Sequence, residues 1–148
     1  MASKVLANLY YVAVVVANDM KHVHTHAKGH CFDRIHSICN EYYERASEDA
    51  DTLVELAIEY DEPVQNGSLA ASILNYRPTN QTEYDWNGAM NIVHAALDYY
   101  IKALEEALGT SVGLDPDVEN LLQEYLRYWK KENNYKNKAR MEDMGTDE

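Results

Sequence analysis

Five of the six histidines fall between residues 22 and 36, at His22, His24, His26, His30 and His36, and an acidic run follows them through Glu44, Glu48, Asp51 and Glu55. Imidazole nitrogens combined with carboxylate oxygens form a metal-ligand set. It suits Fe(II), its carboxylates also hold the harder Fe(III) left after oxidation, and it accepts Zn(II). If residues 32–58 form one helix, a turn of about 100° per residue puts His36, Asn40, Glu44, Glu48, Asp51 and Glu55 within an arc of about 120°. Ile35, Ile38, Tyr42, Leu53 and Leu56 fall largely elsewhere on the wheel, so a polar face lies beside a buried one. The competing reading is a solvated charged stripe on a helical bundle whose histidines have no ligand role.

Spacing constrains how such residues meet. His36 and Asp51 are fifteen residues apart, roughly 22 Å along one helix, too far to share an ion. A second copy of the helix running antiparallel across a two-fold axis near Tyr43 and Glu44 brings His36 of one copy opposite Asp51 of the other. An isologous contact of that kind creates two identical sites per dimer. His22 and His26 lie one turn apart and form a possible chelating pair, while His24 points elsewhere. His22, His26 and His30 are auxiliary metal candidates.

The string His24-(x)3-Lys28-Gly29-(x)2-Phe32-(x)2-Ile35-His36-(x)6-Tyr43-(x)7-Asp51-(x)3-Glu55 resembles the signature of the Dps mini-ferritins, the starvation-induced, iron-oxidising cages of the ferritin-like superfamily. The resemblance is tight from residue 24 to 55 and loose over the remainder of residues 5–130. It implies a cytoplasmic homo-oligomer, a dodecamer, with ferroxidase sites at two-fold interfaces. His24 and His36 would come from one subunit, and Asp51 and Glu55 from its mate. Fe(II) would be oxidised there by hydrogen peroxide or oxygen and the ferric product held as mineral, which protects against oxidative damage. One position departs from the pattern: four residues after the second histidine the family usually has aspartate, and this chain has Asn40. A neutral amide is the poorer ligand. Glu44, one turn further on, or Glu41 beside it, is a candidate substitute. Without one, the site is expected to bind a single metal and to oxidise iron slowly, or to act as a non-redox sequestration site for zinc or iron.

The surrounding elements must position these groups. A chain of 148 residues fits one domain with a single core. Its 46% apolar content with six Gly and three Pro fits an all-α protein, and the expectation is a ferritin-like four-helix bundle over residues 1–130. Leu6, Tyr10, Ala13, Ala17 and Met20 mark one face of a first helix, and Gly29 lets the chain reverse before Phe32. The apolar run 5–17 is too interrupted for a signal peptide and too short to span a membrane. The second helix runs to about Tyr60, where Asp61-Glu62-Pro63 stops it. Residues 63–83 form a long crossover carrying a short helix at 68–74, which lets the third helix run parallel to the second, as ferritin-type bundles require. The third helix, about 83–108, buries Met90, Leu97, Tyr100, Ile101, Leu104 and Leu108, with His94 packed among them. The fourth begins at Asp115-Pro116-Asp117 and presents Val118, Leu121, Leu122, Tyr125, Leu126 and Trp129. No Glu-x-x-His pair occurs on two helices, which argues against an ordinary centre inside one bundle.

By the same resemblance Asp115 and Asp117 would line three-fold iron-entry pores, although helix capping alone explains acid at a helix start. A net charge of −12 opposes general nucleic-acid binding and draws in cations. The residues from 131 to 148 are expected to form a polar, solvated tail. Its lysines are offset by an acidic end, so DNA binding is expected to be weak or absent. Two cysteines, Cys31 and Cys39, make no disulfide framework and fit a reducing compartment as small apolar residues.

Overall fold

A computed structural model describes residues 4–110 and 113–143. Helix α1 spans Val5–His26, α2 Phe32–Glu59, α3 Asn66–Tyr76, α4 Trp86–Thr110 and α5 Pro116–Lys131. The long helices make the expected all-α bundle, with α1 packed along most of α2, α4 against both, and α5 against α4. Helix α1 is buried on more than its expected stripe. Leu6, Ala13, Ala17 and Met20 are joined by Ala7, Leu9, Tyr11, Val15, Val16 and Val23, while Tyr10 is only half-buried. A helix apolar around most of its circumference is one that neighbours cover on several sides.

The crossover leaves α2 at Asp61, which takes a positive φ of 58°, and Glu62 then turns inward to bond the backbone N–H of Ala7 at 2.9 Å. That carboxylate satisfies one of the orphan donors in the first turn of α1, which has no side-chain cap of its own. The crossover helix α3 is longer than expected and contains no buried residue. Helix α4 starts at Trp86 rather than near 83, because the residues before it are extended. Tyr84 N donates to His26 O at 3.0 Å and Lys28 N to Tyr84 O at 2.9 Å. This two-bond bridge clamps the α1–α2 turn to the crossover.

Over residues 131–143 the expected solvated tail is not what forms; the rest of that expectation, residues 144–148, lies outside the described residues. Helix α5 runs on through a π-helical segment, Glu132–Asn137, into α6, Lys138–Met141, and Glu132, Asn133 and Asn137 are buried. Tyr42 OH shares its one proton between Glu132 Oε1 at 3.1 Å and Asn137 Oδ1 at 3.2 Å, and Arg140 donates to Tyr42 OH at 2.9 Å and to Asn137 Oδ1 at 2.8 Å. Asn133 Oδ1 accepts from His94 Nδ1 at 3.1 Å, and its amide returns a bond to the His94 carbonyl at 3.2 Å. These polar residues continue the buried line of Val118, Leu122, Tyr125 and Trp129 at helical spacing. They are held inside because every one finds a partner.

Candidate metal centre

Helices α1 and α2 bring His24 and His36 face to face. Their rings stack with centroids 3.7 Å apart and planes 23° from parallel, and Phe32 stacks on His36 at 5.1 Å. His24 Nδ1 bonds the carbonyl oxygen of His36 at 2.9 Å, and His36 Nδ1 bonds the carbonyl oxygen of His24 at 3.0 Å. A carbonyl has no hydrogen to give, so each Nδ1 is the donor, and in the neutral ring Nε2 is the nitrogen left with a lone pair. Anchoring one ring nitrogen on a backbone carbonyl is how ligating histidines are oriented and fixed in one tautomer. The His24 carbonyl is available because it lies in the last turn of α1, where intrahelical partners run out.

The other predicted residues are placed apart from this pair. Asp51 and Glu55 are exposed on α2. Asp51 borders a groove between α1 and α2, with Tyr10, Val14 and Ala17 on one wall and Tyr43, Ser47 and Val54 on the other. Among the described residues, no three His, Cys, Asp or Glu side chains come together as a metal site. Asn40 is half-buried, and its amide donates to Glu44 Oε1 at 3.2 Å. Glu41 and His30 are exposed.

His22 and His26 do stack, at 4.1 Å, but His22 Nε2 donates to the Gln81 carbonyl at 2.7 Å and Tyr84 packs edge-on against its ring. His26 Nδ1 bonds the His22 carbonyl at 2.8 Å. The pair therefore joins the last turn of α1 to the crossover, and its chelating role loses the His22 Nε2 ligand atom. Asp115 stands at the N-cap of α5 without a capping side-chain bond. Its carboxylate instead accepts from Tyr60 OH at 2.8 Å, a bond that pushes the Tyr60 phenol up to about 12. Asp117 is exposed in the first turn of α5.

Sequence reasoning missed the bundle's interior carboxylate. Asp49 is only 2% exposed and accepts from Trp129 Nε1 at 2.8 Å, Tyr100 OH at 3.0 Å and Arg45 Nε at 3.1 Å. Burial raises its pKa above the ordinary aspartate value, against the lowering effect of those three partners. The Arg45 guanidinium, stacked on Tyr128 at 3.9 Å, stands as the cation beside this carboxylate. The signal was present in the spacing, since Tyr42, Ala46, Asp49 and Leu53 share one buried face of α2. Asp19 is a second case, buried and bonded to Tyr76 OH at 2.8 Å and Thr79 N at 3.2 Å. Cys39 is buried with its thiol pushed up to about 12 by desolvation, an inert core residue as expected, and Cys31 is half-buried.

The all-α bundle is that of a ferritin-like protein. The family described as Ferritin-like domain matches residues 4–138, nearly the whole chain, and the chain belongs to that family. The match extends through the buried polar segment after α5. Comparison with curated proteins gives no match. No helix among the described residues is long and apolar enough to cross a membrane.

Proposed function

We propose that the protein is a Dps-like iron-oxidising and iron-storing cage whose reaction sites form between two-fold-related subunits. The observation that carries this reading is the His24–His36 pair, two imidazoles each anchored through Nδ1, with His36 on the same helix as the exposed carboxylates Asp51 and Glu55 but roughly 22 Å and 28 Å from them. Each chain thus carries two half-sites that complete each other only across an antiparallel α2 pair. The exposed apolar residues Ile58 and Leu74, and an α3 with nothing buried, fit a subunit that packs against other copies.

Fe(II) is the substrate. The imidazoles of one subunit and the carboxylates of the other would hold it, with the carboxylates compensating the charge gained on oxidation. Two Fe(II) give up two electrons to one hydrogen peroxide, which takes up two protons and leaves as two waters. The ferric product hydrolyses to mineral in the cavity. The interior carboxylate Asp49 takes no part, since its oxygens are engaged by Trp129, Tyr100 and Arg45. Weak or absent DNA binding fits the same picture. Lys130 pairs with Glu105, Lys136 with Glu132, and Arg140 is engaged by Tyr42 and Asn137, which leaves few cations of this segment to meet phosphate.

The intersubunit site is tested by complementation. Assemblies of His36→Ala alone, or Asp51→Ala alone, should lose peroxide-driven ferric absorbance after anaerobic Fe(II) loading. Co-refolding the two variants at equal amounts should restore about a quarter of the wild-type sites, because half of random two-fold pairs are mixed and each mixed pair has one intact site of two. Full activity in either single variant, or none in the mixture, refutes the arrangement. A second reading, a non-redox shell that binds zinc or iron, is favoured by the neutral Asn40; metal uptake without ferric absorbance in the wild type would establish it.

A further inference from the structure

Resting on the intersubunit site just proposed, we infer that Glu44 is a further metal ligand of that site, filling the place left by Asn40, and that Asn40 is its positioning residue. Asn40 Nδ2 donates to Glu44 Oε1 at 3.2 Å. On a helical wheel the two lie about 40° and 80° from His36, on the same arc as Asp51 and Glu55. Side chains on a helix lean toward its N-terminus, so the Glu44 carboxylate reaches back over the preceding turn, and the Asn40 amide fixes it there. A hydrogen bond to one oxygen leaves the other for an ion, which is how second-sphere groups orient ligating carboxylates. Among the described residues no Lys or Arg forms an ion pair with Glu44.

The two-fold register adds an independent constraint. Placing His36 opposite Asp51 and Glu55 of the partner subunit puts the axis midway, between about residues 43 and 46, so the two Glu44 carboxylates approach each other there. Like charges repel at that distance. The Asn40 amide draws each one back along its own helix, away from the axis and toward its own His36. An aspartate at position 40 would repel Glu44 one turn away, whereas the amide accepts its approach. The chain therefore keeps its negative charge near this point of the site but carries it on Glu44.

The test is anaerobic titration calorimetry of the assembled protein with Zn(II), a redox-silent probe, repeated with Fe(II). Wild type should take two ions per site. Glu44→Gln, a change at an exposed position, should keep the first and weaken the second at least tenfold. Adding Asn40→Asp to Glu44→Gln should restore the second ion. The inference is overturned if Glu44→Gln binds both ions like wild type, if wild type takes only one, or if Glu48→Gln rather than Glu44→Gln loses the second. His36→Ala separates the two levels: if it binds as wild type does, the intersubunit site itself is wrong, and the role given to Glu44 falls with it.

Discussion

Replacing Asp49 by alanine should be among the most damaging single changes in this chain. The substitution strips the acceptor from two buried donors, Trp129 Nε1 and Tyr100 OH, both on side chains that are fully buried, and from the partly exposed Arg45. A buried donor left unsatisfied costs about 1–3 kcal/mol. The two interior donors together therefore cost about 2–6 kcal/mol, while Arg45 recovers water at its exposed edge. That is a large part of the roughly 5–15 kcal/mol that holds a domain folded. Urea unfolding followed by far-ultraviolet circular dichroism gives the difference, at one fixed protein concentration because any self-association would add concentration-dependent stability. Removing donor and acceptor together should cost less than the sum of the parts, so Trp129→Phe combined with Asp49→Ala should be clearly sub-additive. A loss below about 1 kcal/mol for Asp49→Ala, or strict additivity, would refute the assignment of this carboxylate as the hub of the interior network.

Two further changes report on the titration of Asp49 and on the buried Glu62. Burial raises the pKa of both Asp19 and Asp49 in the folded state, so between the unfolded value near 3.8 and the raised folded value the native state binds more protons. Their contribution is thus fully present below that unfolded value and declines as pH rises through the folded one; the stability of Asp49→Asn should accordingly rise more steeply with pH across this window than wild type, as urea midpoints between pH 4 and 7 would record. Glu62→Ala removes the carboxylate that caps Ala7 from beyond the C-terminal end of α2. It should cost about 0.5–2 kcal/mol and raise amide exchange in the first turn of α1, measured by hydrogen exchange.

The four long helices were legible because apolar residues recur at helical spacing, and burial of Ile35, Tyr42, Leu97, Leu104, Leu122 and Trp129 follows from that period. Glu62 was invisible for a different reason. Its partner is 55 residues earlier in the chain, and a glutamate beside proline at a helix end reads as a stop signal. Asp49 and the residues after Trp129 failed through a common assumption, that a polar residue marks solvent. Both lie on lines set by buried neighbours, and partners supplied by other helices decide that they stay inside. At the candidate centre the residue types and spacing were readable, but not the tautomer, which depends on two carbonyls meeting two rings across the α1–α2 turn. The same limit explains His22, whose bond to Gln81 links positions 59 residues apart.

The reciprocal bonds between His24 and His36 also change when disorder is surrendered. Free imidazoles would have to give up rotamer freedom at the moment an ion arrives, and that loss would be subtracted from affinity. Here the two rings are already immobilised by each other's backbone and by their own stacking. Their ordering belongs to the folding of the α1–α2 hairpin, so an ion bound as proposed would meet a surface that needs only to replace water.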